Sequence, residues 1–243
     1  MRRIFKVSIV VLGIFLGAGT VFADFYVIPV GGRGVGTKLS ALPTTISTPG
    51  FYYLTGDLTS AGSGITVNAD NVTIDMMGFS LIGPGSGGGS GIYMNLRSNV
   101  EIRNGTVRDF YHGIIEANIG QNHRVINVRA VGNRLEGISL AGDGHLVKDC
   151  TVSDNEHLGI RADSGCTVTG NTVCHNGDDG IRVWSGCTVI GNTVYENEAN
   201  GIRISLAACL VDRNTAYSNN QSGGAYTNIT SCPTCTFGLN HAP

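Results

Sequence analysis

A Gly-Ile dipeptide recurs seven times along the chain at nearly constant spacing. The intervals between successive glycines are 27, 22, 24, 22, 21 and 21 residues. A period of about 20 to 50 residues is typical of solenoids, in which each repeat buries its apolar face only by stacking on its neighbours. The pairs place seven isoleucines in one predicted column: Ile65, Ile92, Ile114, Ile138, Ile160, Ile181 and Ile202.

Within each repeat, apolar and polar residues alternate as they do in β-strands. In the segment GIRVW at residues 180–184, Ile181 and Val183 face one side while Arg182 and Trp184 face the other. The following segments, GCTVI and GNTVY, alternate in the same way, and no segment shows a sustained helical period. Each coil is therefore expected to hold two or three short strands, which predicts an all-β solenoid.

Asparagines form two further columns when the coils are aligned. One column lies four residues before a coil's glycine and comprises Asn133, Asn155, Asn176, Asn197 and Asn219. The second is preceded by Cys150 and comprises Asn171, Asn192 and Asn214. Stacked asparagines can hydrogen-bond along the solenoid axis, and they tolerate the left-handed backbone that tight turns need. We interpret both columns as structural ladders.

The recurring Asn-x-x-x-Gly-Ile unit and the Gly-Asn-Thr-Val strands resemble the right-handed parallel β-helix repeats (PbH1-type) of the pectin-lyase-like superfamily. The resemblance covers roughly Gly64 to Asn220, and residues 64–75 are similar to the first coil of many bacterial members. It implies a right-handed parallel β-helix of about seven to eight coils. The repeats are also similar to those of exported carbohydrate-binding and sugar-hydrolase proteins, but a fold does not imply one activity.

The N-terminal residues are predicted to lie outside this fold. Arg2, Arg3 and Lys6 precede an apolar run, and the stretch ends Val21-Phe22-Ala23 with small residues at the two positions that a signal peptidase reads, which is typical of a secretory signal peptide over residues 1–23. A membrane anchor is the alternative, but the apolar run is short for a spanning helix. The rest is predicted to comprise a strand and cap segment at 24–63, the repeats at 64–220 and a C-terminal cap at 221–243.

Removal of the predicted signal peptide leaves an acidic chain, with 13 Lys plus Arg against 18 Asp plus Glu. Nucleic-acid binding favours a basic face, so this balance argues against a nucleic-acid partner. No membrane insertion is expected after cleavage of the signal. We therefore expect a secreted, periplasmic or cell-surface protein, and the sequence leaves its oligomeric state open.

Two coils interrupt the period. The coil that starts at Gly64 contains a Gly- and Ser-rich run at residues 83–90, which is expected to form a flexible loop. The coil that starts at Gly113 has 24 residues and places Glu116 where other coils carry an apolar side chain. Glu116 is either buried and paired or looped out, and we expect the second arrangement.

Seven cysteines in a chain predicted to be exported raise the question of disulfides. Cys166, Cys187 and Cys209 fall in one inward column with a rung spacing of about 4.8 Å. That spacing permits a bond, but we favour free thiols that pack as small apolar groups. Cys232 and Cys235 form a Cys-x-x-Cys that we expect to close the cap as a disulfide. Zinc needs about four ligands, and no metal site is predicted.

The outward position after each Gly-Ile is the leading candidate for a binding surface. It carries a cation on three successive coils, with an aromatic side chain on the same side and acids nearby in sequence. These residues are Arg161, Arg182, Arg203, Trp184, Asp163 and Glu198. One interpretation is a surface ladder of arginine–carboxylate pairs, each contributing little to stability. The other is a groove for an anionic polysaccharide, in which guanidiniums bind carboxylates and the indole stacks on sugar rings.

Catalysis is a third hypothesis. Asp178 and Asp179 precede Gly180 and resemble part of the aspartate pair of polygalacturonases, which are β-helix hydrolases, and glycoside hydrolysis uses two carboxylates. The rest of that signature is missing. No cofactor is predicted, although calcium would be expected if the chain were a lyase. The histidines align in different columns, which argues against a copper site: His112, His123, His145, His157 and His175.

We therefore expect an exported β-helix protein that binds, and in one variant of the hypothesis processes, an anionic extracellular polysaccharide. Two alternatives stay open at this point. The first is a non-catalytic structural or surface-display solenoid, such as an adhesin. The second is a polysaccharide lyase, epimerase or hydrolase.

Overall fold

The computed structural model describes residues 36–85 and 88–243. The predicted signal peptide lies outside the described residues, as do residues 24–35 and two residues of the predicted Gly- and Ser-rich loop, 86 and 87. Within the described ranges, no helix has the length and apolar character needed to span a bilayer. The strands, in chain order, are β1 (Thr37–Leu39), β2 (Thr44–Ile46), β3 (Gly50–Leu54), β4 (Leu58–Thr59), β5 (Ile65–Val67), β6 (Val72–Asp75), β7 (Ser80–Ile82), β8 (Ser90–Met94), β9 (Glu101–Arg108), β10 (His112–Gln121), β11 (Arg124–Val131), β12 (Ile138–Asp143), β13 (Leu146–Lys148), β14 (Thr151–Ser153), β15 (Ile160–Ser164), β16 (Thr167–Thr169), β17 (Thr172–Cys174), β18 (Ile181–Val183), β19 (Thr188–Ile190), β20 (Thr193–Tyr195), β21 (Ile202–Ile204), β22 (Leu210–Asp212), β23 (Thr215–Tyr217) and β24 (Thr236–Phe237).

The strands stack into a right-handed parallel β-solenoid of about nine turns. One side is an eight-stranded sheet in the order β2-β5-β8-β10-β12-β15-β18-β21, and the remaining strands form a 16-stranded sheet. The expected count of seven to eight coils is slightly low. Strands β2, β3 and β4 pair in parallel register with β5, β6 and β7 of the first predicted coil, and β1 pairs with β3, so the solenoid begins before residue 64.

The C-terminal tail closes the solenoid against the last coil. Strand β24 pairs with β22 in parallel, and isolated bridges join Ile229 to Ile202 and His241 to Thr215. These contacts reach both sheets. An open coil would present unpaired backbone groups, and the tail satisfies them on each side.

The repeated isoleucines form the centre of the core. Each pairs in register with the isoleucine of the next coil, and all seven are at most 1% exposed. Burial of one such side chain contributes about 1.5–3 kcal/mol. The preceding glycine is required by close contact between coils, because a Cβ on Gly159 would lie 2.5 Å from the carbonyl oxygen of Gly180. Both residues of the Gly-Ile repeat are therefore set by packing.

The asparagine columns are confirmed as hydrogen-bonded ladders. The backbone N–H and the Nδ2 of Asn155 both donate to Oδ1 of Asn176, at 3.2 and 2.8 Å, and Nδ2 of Asn176 donates onward to Asn197 at 2.9 Å. The expected left-handed backbone does not fall on the asparagines. It falls on the residue before each one, such as His175 with φ 53°, because that residue makes the turn while the asparagine side chain points inward to bond the preceding coil.

A third ladder contains histidines and cysteines. The backbone N–H of His123 donates to Nδ1 of His145 at 3.1 Å, and the N–H of His145 donates to Sγ of Cys166 at 3.4 Å. The two imidazoles stack with their ring centroids 5.0 Å apart. The prediction that the histidines occupy different columns is wrong for this pair. The register of β10 shifts between Glu116 and Gly120, so the turn of that coil comes later than a count from its glycine suggests.

Glu116 is buried and paired, contrary to the expectation that it is looped out. It is 1% exposed, and its carboxylate accepts the backbone N–H groups of Leu96, Arg97 and Asn118 at 2.9, 3.2 and 3.1 Å. Nε2 of His123 lies 3.2 Å from its second oxygen. Burial alone would raise the pKa of Glu116, but the hydrogen bonds from His123 and the backbone lower it. The coil tolerates the charge because its carboxylate oxygens are fully bonded.

Candidate functional site

The outward positions of the eight-stranded sheet change character along the solenoid. Parallel register aligns Tyr93 with Ile115 and then with Ser139, and the same column continues as Arg161, Arg182 and Arg203. The column begins with Thr45 and Thr66, so its positions before Arg161 are uncharged, whereas its last three positions are cationic. We call Arg161, Arg182, Arg203 and Trp184 the arginine face.

Arg161 is held on two sides. Its Nε and Nη2 donate to the two carboxylate oxygens of Asp163 at 3.1 and 3.3 Å. Its guanidinium carbon lies 4.9 Å from the ring centroid of Trp184, in the geometry of a cation–π contact. The predicted sugar-stacking residue therefore already packs against a cation of the neighbouring coil.

Arg182 is the most strongly paired of the three arginines. Its Nε donates to Asp179 at 2.6 Å, and its Nη2 donates to Asp178 at 3.0 Å. Asp179 is fully buried, and its other oxygen accepts the backbone N–H and Nδ2 of Asn200 at 3.0 and 2.7 Å. These contacts make Asp179 part of the turn framework, whereas the side chain of Asp178 keeps 23% of its surface exposed.

Arg203 is the cation of this face with the weakest contact to a carboxylate. Its Nη1 lies 3.8 Å from Asp179, and its side chain is 45% exposed, against 19% for Arg182. Glu198, predicted to lie near these arginines, instead lines an open depression with Glu156, His175 and Glu196. The structure thus brings Asp163, Asp178 and Asp179 to the arginines and places Glu198 elsewhere.

Sequence reasoning missed a line of alternating imidazoles and carboxylates next to the arginine face. Nδ1 of His112 lies 2.7 Å from Glu136, whose second oxygen lies 3.6 Å from Nδ1 of His157. Nε2 of His157 lies 3.3 Å from Asp178. We call His112, Glu136, His157 and Asp178 the carboxylate–histidine chain. Through Asp178 it meets Arg182, so the two groups form one continuous polar surface.

The electrostatics of this chain keep its central carboxylate ionised. Burial alone would raise the pKa of Glu136, but the hydrogen bond from His112 and the charges of His112 and His157 lower it. The ring of Tyr111 meets the His112 ring edge-on, with centroids 4.9 Å apart. Glu136 therefore orients His112 through Nδ1 and leaves Nε2 as the nitrogen available to another partner.

A weak signal for this chain exists in the sequence. His112 and Glu136 stand immediately before a coil's glycine, in a column that continues with Leu158, Asp179 and Asn200, whereas His157 and Asp178 stand one residue earlier. That column mixes residue types, so composition alone does not mark it. In the described part of the chain, no group of three or more His, Cys, Asp or Glu side chains has the arrangement of a metal site.

A family model described as the right-handed beta helix region matches residues 58–194 and, in a second overlapping match, residues 90–241. The chain belongs to this family. Among solved structures, the A-module of mannuronan C-5 epimerase AlgE4 from Azotobacter vinelandii aligns with a TM-score of 0.59 and 14% identity, covering 79% of this chain and 78% of that one.

Pectate lyase Pel9A is a second solved structure similar to this chain. It aligns with a TM-score of 0.50 and 17% identity, and the match covers 80% of this chain and 66% of the lyase. The comparison with curated proteins finds no match. At these identities the likeness shows the shared β-helix fold, and the activity has to be argued from the side chains of this chain.

Proposed function

We propose that this chain is an exported β-helix protein whose arginine face binds an anionic extracellular polysaccharide. The observation that carries the proposal is the in-register stack of Arg161, Arg182 and Arg203 on three neighbouring coils. Two solved proteins of similar fold, a mannuronan epimerase and a pectate lyase, are named for polysaccharide substrates, which supports the same class of ligand here. Export rests on the predicted signal peptide at residues 1–23.

The spacing of the cations suits a repeating ligand. Neighbouring rungs lie about 4.8 Å apart, so an extended chain laid along the axis meets a guanidinium at each coil. A single exposed ion pair contributes only about 0–1 kcal/mol, so affinity has to come from several carboxylates bound together. Arg203 is the best first contact, because its side chain is 45% exposed and its carboxylate partner lies at 3.8 Å.

The test is binding of the exported protein to a panel of neutral and uronate polysaccharides at low and high salt. Arg203→Ala is expected to weaken uronate binding several-fold while thermal stability stays unchanged. Arg124→Ala is the matched control, because Arg124 is also exposed and pairs with a carboxylate at 3.4 Å but lies on β11 of the other sheet. High salt is expected to weaken the binding by screening.

Three results would contradict this proposal. Equal binding by Arg203→Ala and the parent would remove the arginine face from the site, and equal affinity for neutral and uronate polymers would remove the role of charge. If folded protein bound none of the panel, the structural or surface-display role would replace polysaccharide binding.

A second function, proton transfer on the bound sugar, is favoured by the carboxylate–histidine chain. A carboxylate on Nδ1 holds an imidazole in one orientation and makes its Nε2 more basic, which is the arrangement of a general base. Glu136 does this for His112 at 2.7 Å. Lyases and epimerases need such a base, whereas hydrolysis by Asp178 and Asp179 would need a second free carboxylate, and Asp179 is buried and fully bonded.

Product formation tests the second function separately from binding. Reducing ends, ultraviolet absorbance of unsaturated uronate, and exchange of sugar C–H protons in deuterated water are followed with the same polymers. His112→Gln is expected to abolish any product while binding persists. His175→Gln is the control, since His175 also contacts a glutamate at 2.7 Å, but through Nε2 and on a different turn. Equal loss in both variants, or product from His112→Gln, would exclude His112 as the base.

A further inference from the structure

Four cysteines occupy successive rungs of the third turn ladder. The residues that follow them pair in parallel register, Thr167 with Thr188, Thr188 with Leu210, and Leu210 with Thr236. The column is therefore Cys166, Cys187, Cys209 and Cys235. Its first three members are free buried thiols, whereas the fourth is joined to Cys232 by a disulfide.

Each cysteine of this column points its sulfur at the coil before it. The backbone N–H of Cys187 donates to Sγ of Cys209 at 3.4 Å, and the N–H of Cys209 donates to Sγ of Cys235 at 3.3 Å. Cys209 and Cys235 thus hold their sulfurs in equivalent positions one rung apart, which corresponds to about 4.8 Å. A free thiol and a disulfide sulfur are neighbours inside the solenoid.

We infer that Cys209 and the Cys232–Cys235 disulfide form an internal thiol–disulfide exchange site. The thiolate of Cys209 attacks Sγ of Cys235, and a Cys209–Cys235 bond forms as the Cys232–Cys235 bond breaks. The electron pair of the broken bond leaves on Sγ of Cys232, which takes up the proton that Cys209 lost. The number of disulfides is unchanged, so the reaction needs no external oxidant or reductant.

The register of the coils permits the product. Disulfides form between residues whose Cα atoms lie about 4.4–6.8 Å apart, and adjacent rungs fall within that window. Cys209 is only 2% exposed, which hinders external thiols but not a neighbour already in the same column. Burial raises the pKa of Cys209, so exchange is expected to accelerate as the pH rises and the thiolate fraction grows.

The exchange changes what the disulfide holds together. The Cys232–Cys235 bond closes a loop with a sequence separation of 3 within the tail, whereas a Cys209–Cys235 bond would connect the tail to the last regular coil, 26 residues earlier. A larger closed loop constrains the unfolded chain more strongly. The exchanged form therefore locks the C-terminal tail onto the solenoid covalently.

Disulfide mapping of the folded protein tests the site. The protein, purified without reductant, is incubated between pH 7 and 9, quenched in acid, denatured and alkylated, then digested and analysed by mass spectrometry. We expect a Cys209–Cys235 peptide that increases with pH, together with an equal gain of alkylated Cys232 and loss of alkylated Cys209. If the parent protein kept only the Cys232–Cys235 linkage at every pH, the inference would be wrong.

Two variants assign the reaction to the column. Cys209→Ser is expected to keep the Cys232–Cys235 linkage at all pH values, and Cys209→Ala serves the same purpose if the serine variant does not fold. Cys150→Ser is the matched control, because Cys150 is also a buried free thiol but stands in the asparagine ladder, where Asn171 is its neighbour. Release of Cys232 in the Cys209 variants would show that another thiol attacks.

Discussion

Replacement of one ladder asparagine should lower the free energy of unfolding of the solenoid far more than replacement of an exposed asparagine. Asn176 is fully buried, and its Oδ1 accepts both the backbone N–H and the Nδ2 of Asn155. In Asn176→Ala these two donors lose their acceptor in a site that excludes water. An unsatisfied buried polar group costs about 1–3 kcal/mol, so two of them predict a loss of about 2–6 kcal/mol in the free energy of unfolding.

Urea denaturation followed by circular dichroism measures this loss, since the midpoint falls in proportion when the slope is unchanged. Asn118→Ala is the control: Asn118 is exposed and bonds Asn95 through its side chain at 2.6 Å, and its removal is expected to cost less than about 1 kcal/mol. Asn192→Ala, in the second ladder, should repeat the large effect. Equal midpoints for Asn176→Ala and Asn118→Ala would refute the assignment of the ladders as structural.

Two further perturbations test other parts of the core. Gly159→Ala should cost about 1–3 kcal/mol through overpacking, because the new Cβ would lie 2.5 Å from a backbone carbonyl oxygen, whereas Gly56→Ala meets nothing within 4 Å; equal thermal midpoints would contradict the close contact. Burial and the neighbouring His123 lower the pKa of His145 from 6.5 to about 4, so the unfolded chain binds its proton first, and stability is lost as the pH falls from about 6.5 towards 4. The loss in the free energy of unfolding amounts to about 3 kcal/mol. The urea midpoint should therefore depend less on pH in His145→Asn than in the parent, and His175→Asn should keep the parent's dependence. An unchanged pH dependence in His145→Asn would exclude His145 as the titrating group.

The fold was predictable because its repeat is enforced at close range. In each coil the glycine has to avoid the carbonyl oxygen of the next coil, and the isoleucine has to fill the core. Both residues therefore recur even where the turns between strands differ in length. Glu116 could not be placed in this way, since it is satisfied by backbone N–H groups of the preceding coil, at Leu96 and Arg97. Those partners become visible only when the register between coils is known.

Only part of the candidate site could be predicted from the sequence. The arginine column follows from counting along a strand, and it appears in the structure as expected. The carboxylate–histidine chain is harder to recognise in the sequence, because His112 and Glu136 stand immediately before a coil's glycine whereas His157 and Asp178 stand one residue earlier, so its members fall in two columns. His112 and Glu136 are 24 residues apart and meet at 2.7 Å, while Glu198 is near Arg203 in sequence and points into another depression.

The ladders also give the solenoid a unit of growth. Each ladder asparagine accepts hydrogen bonds from the coil before it and donates to the asparagine of the coil after it. In the tail, Asn228 and Asn240 end the two ladders by accepting from Asn219 and Asn214. The coils that begin at Gly159 and Gly180 are one 21-residue period apart, and both carry an arginine, a cysteine and the two ladder asparagines at equivalent positions. Insertion of one more copy of this 21-residue period would keep the ladders continuous and would add one arginine to the arginine face. Duplication of the corresponding gene segment can therefore extend this surface while the core packing stays the same.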